Sequence, residues 1–440
     1  MLHSQMPLRS LLRFAGLAGL LVCPSPLVYA GTDTTNITPV VDKKMPSFWN
    51  QQYMLGTWNG ERTRLANEGI TFDINDIGDF QADVAGSQTH HATYFGRFRA
   101  STDIDFNKLA NFNGEFFASA IWQYGPNLSG KYLNVNTLTS SIAGEDSLRL
   151  DQFWYQQGFA DNMLKIKLGQ VAAVNEFGAT DFFDILFNDE LGYAPNALFN
   201  TKQPFSPAGK PGIIVTGDLS DLTPGLYVKA GVFTAYNNPY NPDAHGFNYG
   251  NDFDHGAVGS FELGYVEQKT NYPGSYKLGV NANGLAIYTN PATGQNYSGD
   301  YTAYGLAQKT VYHPTDATGK LEKEKGLDLL FEVLGGPGDR NPLQFEVTSG
   351  ARYTGLIPGR DKDKVGFGVI YSQNGSAASQ AYQIANGRGL GGETTVEIDY
   401  QYNPTPWFSL QPDTQFIMDP GGDSSRSLII VMGLRTIVRF

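Results

Sequence analysis

Apolar and polar side chains alternate at every second position, in one segment after another, from residue 70 onward. In the stretch 94–106, for example, Phe98 and Ala100 fall on one side, whereas Arg97 and Arg99 fall on the other. Successive residues of a β-strand point to opposite faces of the sheet, so this period predicts strands with one apolar and one polar side. The same pattern recurs in the stretches 115–124, 147–155, 164–168, 226–231, 327–333, 344–348, 394–402 and 428–440, with turn-forming clusters between them. The chain is therefore expected to be all-β.

The length and the charge of these segments favour a membrane barrel over a soluble sheet. Runs of about ten residues match a tilted membrane strand, whereas strands of soluble proteins average about six residues. Charged side chains such as Arg97 and Asp103 stand in the middle of the polar faces, which suits a wet lumen, and the apolar faces suit lipid. Trp122 and Trp154 are assigned to the apolar faces as part of an aromatic girdle. A soluble β-sandwich or propeller is the competing architecture.

The chain reads as one sheet-based domain behind an export segment. Arg9 and Arg13 precede a short apolar core, and Val28-Tyr29-Ala30 predicts cleavage before Gly31. We therefore assign residues 1–30 to a signal peptide, 31–69 to a leader with a short helix at Gly60–Asn67, and 70–440 to the barrel. At roughly 20 to 25 residues per strand with its connections, the barrel has about 14 to 18 strands, and we expect sixteen.

Cleavage of the signal peptide has two consequences for the exported chain. It removes the only cysteine, Cys23, so no disulfide is expected although the compartment permits one. The formal net charge of the full chain is −12. Cleavage also removes Arg9 and Arg13, so the exported chain is more acidic. Binding to phosphate backbones needs an excess of Lys and Arg, so nucleic acid is not expected as a partner.

The final segment, Leu428–Phe440, resembles the C-terminal strand of bacterial outer-membrane proteins. It alternates apolar residues with positions that include Arg435 and Arg439, and it ends on the aromatic Phe440. In that group of proteins the segment is the recognition tag for barrel assembly. The resemblance therefore implies contact with the barrel-assembly machinery.

Two further segments resemble the carbohydrate-selective porin (OprB) family. Leu55–Leu65 (LGTWNGERTRL), followed by Gly69–Phe72, is similar to the family's N-terminal signature, although Thr57 and Asn59 replace its usual Asp and Gly. Near the other end, Trp407–Phe416 and Asp419–Gly422 also resemble the family. The resemblance implies a sixteen-stranded outer-membrane porin that passes glucose and related mono- or disaccharides by passive diffusion, with neither catalysis nor a cofactor. It implies contact with lipid and lipopolysaccharide, and it leaves a homotrimer open.

The sequence leaves two other functional interpretations open beside a sugar porin. One is an exported soluble β-fold protein, either a carbohydrate-active enzyme or a lectin. The other is a barrel for ions or other small solutes. No motif for a nucleophilic hydrolase, a zinc peptidase or a phosphate-binding loop occurs in the sequence. Asn251–Gly256 loosely resembles a calcium loop but lacks the distal Glu.

Charged residues on the polar faces of the predicted strands are the candidates for the pore lining. Arg offers a fixed fork of hydrogen-bond donors and a carboxylate offers acceptors, so a mixed ring binds sugar hydroxyls without selecting one ion. The alternative is that these side chains pair across neighbouring strands and only maintain the wall. The candidates are Arg97, Arg99, Glu115, Arg149, Asp151, Lys165, Glu397 and Asp399.

The segment Val171–Gly212 interrupts the strand rhythm with mixed aromatic and acidic residues. A long irregular segment inside a barrel is usually functional, so we expect it to fold inward and narrow the channel, its aromatic rings offering a platform to sugars. An outward loop that contacts lipopolysaccharide or a neighbouring subunit is the alternative. The constriction candidates are Phe177, Asp181, Phe182, Phe183 and Asp184.

Overall fold

The computed structural model describes residues 47–87, 90–144, 146–180, 182–191, 200–235, 245–247, 256–268 and 270–440, without the side chain of Phe183. The predicted signal peptide and most of the leader lie outside this part of the chain. So do Asp181 and residues 251–255 of the calcium-like segment.

Sixteen antiparallel strands form a closed barrel, as predicted. Each strand pairs with its neighbours in sequence, and β1 also pairs with β16, so that Asp76 lies opposite both Phe98 and Val438. A closed ring leaves no strand edge with unpaired backbone groups, which a barrel in lipid requires. The strands are β1 Ile70–Ala85, β2 Ala92–Asp105, β3 Gly114–Tyr124, β4 Ser147–Phe159, β5 Leu164–Val171, β6 Lys210–Asp218, β7 Leu226–Thr234, β8 Ala257–Val266, β9 Gly274–Thr289, β10 Asn296–Tyr312, β11 Gly326–Gly335, β12 Leu343–Thr354, β13 Lys364–Asn374, β14 Gly392–Thr405, β15 Phe408–Met418 and β16 Ile429–Arg439.

The alternation of side chains sorts them between the outside and the lumen of the barrel. On β11, Leu329 and Phe331 are exposed on the outer surface, whereas Glu332 points inward and is buried. On β16, Met432 and Leu434 are exposed outside, and Arg435 is buried inside. The strand faces predicted for these two segments are therefore confirmed. Across the described ranges, we find no helix with the length and apolar character needed to cross a membrane.

A β-bulge in β4 makes one of these predictions wrong. Opposite β3 the register skips Asp151, because Ser119 pairs with Gln152 and the next residue, Ala120, pairs with Leu150. Asp151 and Gln152 are consequently both buried, and every later side chain of β4 changes face. Trp154 therefore points into the lumen, where it is only 1% exposed, and it does not belong to an outer aromatic girdle. Trp122, by contrast, is exposed on the outer face as predicted.

Three α-helices lie entirely within the described residues. The predicted N-terminal helix is present as α1, Glu61–Asn67, and it starts after Gly60 because that residue has a left-handed backbone (φ 95°). The second helix, α2 Phe106–Ala110, is capped by the Asp105 carboxylate, which accepts from the backbone N–H groups of Asn107 and Lys108. The third, α3 Ser376–Asn386, lies in the β13–β14 connection.

The two ends of the barrel differ. The end that holds α1, α2 and the end of β16 has mostly short turns, and we call it the short-turn end. The opposite, long-loop end carries the longer connections, among them residues 125–146 (the β3–β4 loop) and residues 172–209 (the β5–β6 loop). Apolar residues of both loops pack against apolar side chains on the inner wall. The main apolar clusters therefore lie inside the barrel, between the wall and these loops.

Candidate functional site

The β5–β6 loop lies in the lumen, where apolar side chains hold it against the wall. Phe182, Ile185, Leu186 and Leu191 form one buried cluster with Leu306, Leu330 and Ile370, which are inward-facing residues of three strands. Gly366 and Gly368 on β13 leave the space for this contact, because a Cβ on Gly366 would lie 2.8 Å from Ile185 and one on Gly368 would lie 2.6 Å from Leu191. The described part of the segment predicted to narrow the channel is thus inside the barrel.

Polar anchors hold the same loop at two places. The carboxylate of Glu397 accepts hydrogen bonds from the backbone N–H groups of Phe187 at 2.5 Å and Asn188 at 3.0 Å. Asp184 forms ion pairs with Arg352 at 2.8 Å and with Lys364. Glu397, Arg352 and Lys364 all belong to strands. The rigid wall therefore fixes the position of the loop.

A third anchor is the carboxylate of Glu176 near the start of the loop, whose side chain is 11% exposed. It lies 2.5 Å from the ammonium group of Lys167 and 3.2 Å from that of Lys229. Burial disfavours the charged form of Glu176, but the two ammonium groups outweigh it and lower the pKa of this carboxyl to about 2. The Lys167 ammonium also lies 3.6 Å from the centre of the Trp154 ring, which explains why this inward tryptophan sits among charged groups.

The β3–β4 loop also folds into the lumen, which the sequence analysis missed. Glu393 accepts hydrogen bonds from the backbone N–H groups of Asn136 and Thr137. The side-chain amides of Gln81 and Gln415 both donate to the carbonyl of Thr139, at 2.7 and 2.8 Å. The apolar residues Leu128 and Leu133 of this loop pack on Ile417, Ile429 and Val431 of the wall.

The two loops contact each other inside the barrel. The N–H of Ser141 donates to the carbonyl of Phe187 at 2.5 Å, and the N–H of Asp189 donates to the carbonyl of Leu138 at 3.0 Å. The side-chain amide of Asn188 bonds the Thr137 hydroxyl at 3.3 Å. Together the loops form one shelf inside the lumen.

Beside this shelf the wall carries a cluster of predicted arginines. Arg97 and Arg99 lie on β2 and Arg149 lies on β4, and all three face the lumen and are 4 to 6% exposed. Arg99 lies opposite Ile121, which in turn lies opposite Arg149. The Asp151 carboxylate is 3.9 Å from the Arg99 guanidinium and accepts from the Ser119 hydroxyl at 3.0 Å. The structure thus brings these four predicted residues together.

The other predicted lining residues lie elsewhere on the wall. Glu115 and Lys165 are close to the short-turn ends of β3 and β5, where both are partly exposed and the Glu115 carboxylate accepts from the Gln156 amide at 3.0 Å. Phe177 and Phe182 are 1% and 0% exposed. Their rings therefore pack the β5–β6 loop against the wall and do not face the open lumen.

Glu397 and Asp399 on β14 belong to a compact group of buried carboxylates with Asp413 on β15. One oxygen from each lies within 4.8 Å of the others, and Asp399 and Asp413 are directly opposite across the strands. The side-chain amides of Gln411 and Gln415 donate to Asp399 and Asp413 at 2.9 and 3.2 Å. Hard cations accept such oxygen ligands, and this is the single group of its kind within the ranges the structure describes.

A buried ion pair stands between the carboxylates and the arginine cluster. Arg435 on β16 binds Asp79 on β1 through two hydrogen bonds, at 2.8 and 2.7 Å. The lumen wall from β14 to β4 therefore presents donors and acceptors in turn. Such a surface can exchange hydrogen bonds with a neutral solute rich in hydroxyl groups.

Comparison with known proteins identifies what this architecture resembles. The model of the family described as "Carbohydrate-selective porin, OprB family" matches residues 89–440. That range begins after Leu55–Phe72, so it does not test the resemblance drawn from the N-terminal segment. Porin B of Pseudomonas aeruginosa is 23% identical over 428 residues, covering 88% of this chain and 91% of that protein. The putative porin QuiX of Acinetobacter baylyi is 25% identical over 433 residues, covering 89% and 94%.

Solved structures share the fold. The high-pH structure of Pseudomonas putida OprB superposes with a TM-score of 0.81 at 21% identity, covering 90% of this chain and 100% of that one. Its low-pH structure gives a TM-score of 0.57 at 19% identity, covering 89% and 99%. Salmonella typhi OmpF gives 0.53 at 9% identity, covering 85% and 99%.

Proposed function

Because the chain belongs to the carbohydrate-selective porin (OprB) family, we propose that sugars diffuse passively through its lumen and contact Arg97, Arg99 and Arg149 where the two inward loops narrow the path. The protein is an outer-membrane porin and not an enzyme. The observation that carries the proposed contact is the grouping of three lumen-facing guanidinium groups with Asp151 beside the loop shelf.

The chemistry of this group fits a neutral, hydroxyl-rich solute. A guanidinium group is a rigid fork of donors, and the neighbouring carboxylate supplies acceptors. The small exposed part of each arginine faces the lumen, because the opposite face of the same strand is turned outward. A sugar that enters the narrow region can therefore replace its bonds to water with bonds to the wall. The exchange needs no energy source, as expected for diffusion.

Sugar flux into liposomes tests the role of the arginines. Arg97→Ala and Arg149→Ala should each alter the uptake of glucose and of a disaccharide, since both remove donors from the narrow region. Arg64→Ala is the matched control, because Arg64 is an exposed arginine of α1 that pairs with Glu61 and Glu68. Unchanged glucose flux and affinity in both lumen variants would overturn the proposed contact. Reversal potentials with charged solutes of matched size test the alternative of an ion-selective barrel.

The remaining proposals concern export and partners. We infer that residues 1–30 are removed as a signal peptide, on the basis of the charged start, the apolar core and the Val28-Tyr29-Ala30 site. Contact with the barrel-assembly machinery is supported by the apolar outer face of β16, and contact with lipopolysaccharide by the location in the outer membrane.

A further inference from the structure

The described residues before β1 lie across the place where the first and last strands meet. We call residues 48–67 the N-terminal clasp. The N–H of Met54 donates to the carbonyl of Arg439 at 2.8 Å, next to the end of β16. At the other side, the indole N–H of Trp407 donates to the carbonyl of Phe48 at 2.9 Å. The clasp thus contacts β16 and the β14–β15 turn at the short-turn end.

The place where β1 and β16 pair is called the seam. Among the described residues of the clasp, only Arg62 of α1 bonds to both sides of this seam through its side chain. Its Nη1 donates to the backbone oxygen of Phe440 at 2.5 Å, and its Nη2 donates to the carbonyl of Phe72 at 2.7 Å. Phe72 belongs to β1, and Phe440 directly follows β16 and donates its own N–H to the carbonyl of Ile74. One guanidinium group therefore connects the two strands that close the ring.

Aromatic rings hold the Arg62 side chain in this position. The guanidinium carbon lies 3.3 Å from the centre of the Tyr53 ring and 4.9 Å from that of Trp58. Trp58 packs in turn on Phe72 of β1, with ring centres 5.6 Å apart. The whole residue is 7% exposed. A buried guanidinium group between rings, with both ends of its fork bonded, is a preorganised bidentate site.

We propose that the N-terminal clasp locks the closed β1–β16 seam and that Arg62 recognises the two paired strands together. The backbone oxygens of Phe72 and Phe440 come within reach of one guanidinium group only after β1 and β16 have paired. The full set of clasp contacts therefore forms after ring closure, and it stabilises the closed ring over a ring opened at the seam. An unpaired β16 has a free edge to which another strand can add, so the clasp also disfavours the binding of such a partner.

The chain supplies a matched control two residues away. Arg64 lies on the same helix and loses the same charge and side-chain length when changed to alanine. Arg64 is exposed. Within the described residues, its ion pairs are those with Glu61 and Glu68, at 2.8 Å each. Within the described ranges Arg64 forms no ion pair with the barrel wall, so Arg64→Ala should leave the seam unchanged.

Hydrogen–deuterium exchange of the full chain in detergent tests the lock. In Arg62→Ala, the amides of the β1–β16 seam should exchange about tenfold faster or more, since two hydrogen bonds from a charged donor are lost. Amides of the β9–β10 pair should exchange as in the wild type, and Arg64→Ala should match the wild type throughout. Arg62→Lys should not restore protection fully, because an ammonium group lacks the planar fork.

Two results would overturn the proposal. One is an unchanged seam in Arg62→Ala, and the other is an acceleration that is equal around the whole barrel, which would indicate general destabilisation. Should Arg62→Ala yield no barrel, Tyr53→Ala keeps the guanidinium group but removes the ring beneath it, and it should accelerate exchange at the seam alone. Acceleration elsewhere, or none, would then count against the lock. Glucose flux in liposomes should stay at the wild-type level in either variant, which separates the lock from the sugar contacts.

Discussion

Replacing Glu397 with glutamine should release part of the β5–β6 loop from the wall. The carboxylate now accepts from two backbone N–H groups, those of Phe187 and Asn188, while buried. A hydrogen bond to a charged group is worth about 1.5 to 3 kcal/mol, and leaving a buried N–H without an acceptor costs about 1 to 3 kcal/mol. Glutamine keeps one acceptor oxygen, so we expect a loss of about 2 to 4 kcal/mol. At about 1.4 kcal/mol per factor of ten, the detached loop becomes about 30-fold to several hundred-fold more populated.

The opening should be local, because the Asp184 anchor to Arg352 and Lys364 remains. The appropriate assay is single-channel conductance in planar bilayers, combined with swelling of liposomes in a disaccharide. Glu397→Gln should raise the mean conductance or its open-channel noise and should speed disaccharide entry relative to glucose. Each change follows from a wider or more mobile passage beside residues 185–191.

Asp413→Asn is the control for charge. It removes one negative charge from the same cluster of three carboxylates. Asp413 accepts from the Gln415 amide and, within the described residues, from no backbone N–H group of the loop. Removing a charge relieves repulsion in both variants, so only Glu397→Gln should loosen the loop. Wild-type conductance and noise in Glu397→Gln, or an equal effect of Asp413→Asn, would refute the tether.

Two further predictions concern an ion pair at the long-loop end and the lipid-facing surface. Hydrogen bonds from Arg388 hold the pKa of Asp423 well below its ordinary value. The contribution of this pair to stability is therefore complete above the unfolded pKa of about 3.9 and is lost as the pH falls through the lower folded pKa. Limited proteolysis near Asp423 should thus stay slow from pH 7 to about pH 4 in the wild type, and Asp423→Asn should be cut faster across that range. Phe331 is 50% exposed on the outer face, so Phe331→Arg should cost about 2 to 4 kcal/mol of unfolding free energy in bilayers, whereas Phe331→Leu should change it little.

Local sequence pattern predicts the wall of this barrel well because each strand obeys one simple rule. A strand with lipid on one side and a wet lumen on the other must alternate, and β11 and β16 do so along their length. The same rule places Arg97, Arg99 and Arg149 on the inner face. Chain length alone predicts about 14 to 18 strands, and the structure confirms the expected sixteen.

The rule fails where one extra residue enters a strand. Leu148 and Leu150 predict an outer position for Trp154, but the bulge at Asp151 reverses the faces beyond it. Nothing in the local residue types marks that bulge, because Asp151 and Gln152 are equally polar. What decides the position of Trp154 is tertiary: its ring stacks on Phe117 at 5.3 Å and lies under the Lys167 ammonium. Such contacts exist only once β3, β4 and β5 are paired.

The strands themselves carry a second sequence signal that indicates inward loops, and it includes the β3–β4 loop that the sequence analysis missed. Ile437 falls between Arg435 and Arg439 on the inner face of β16, and Leu330 falls between Asp328 and Glu332 on β11. Apolar surface left in a water-filled lumen costs about 25 cal/mol per Å², so inward apolar residues require a cover. Ile437 packs with Ile142 of the β3–β4 loop, and Leu330 packs with Phe182 of the β5–β6 loop. Apolar residues in the polar register of a membrane strand therefore indicate where a loop enters the barrel. The group on β1 and β16 lies under the β3–β4 loop, and the group on β10, β11 and β13 lies under the β5–β6 loop.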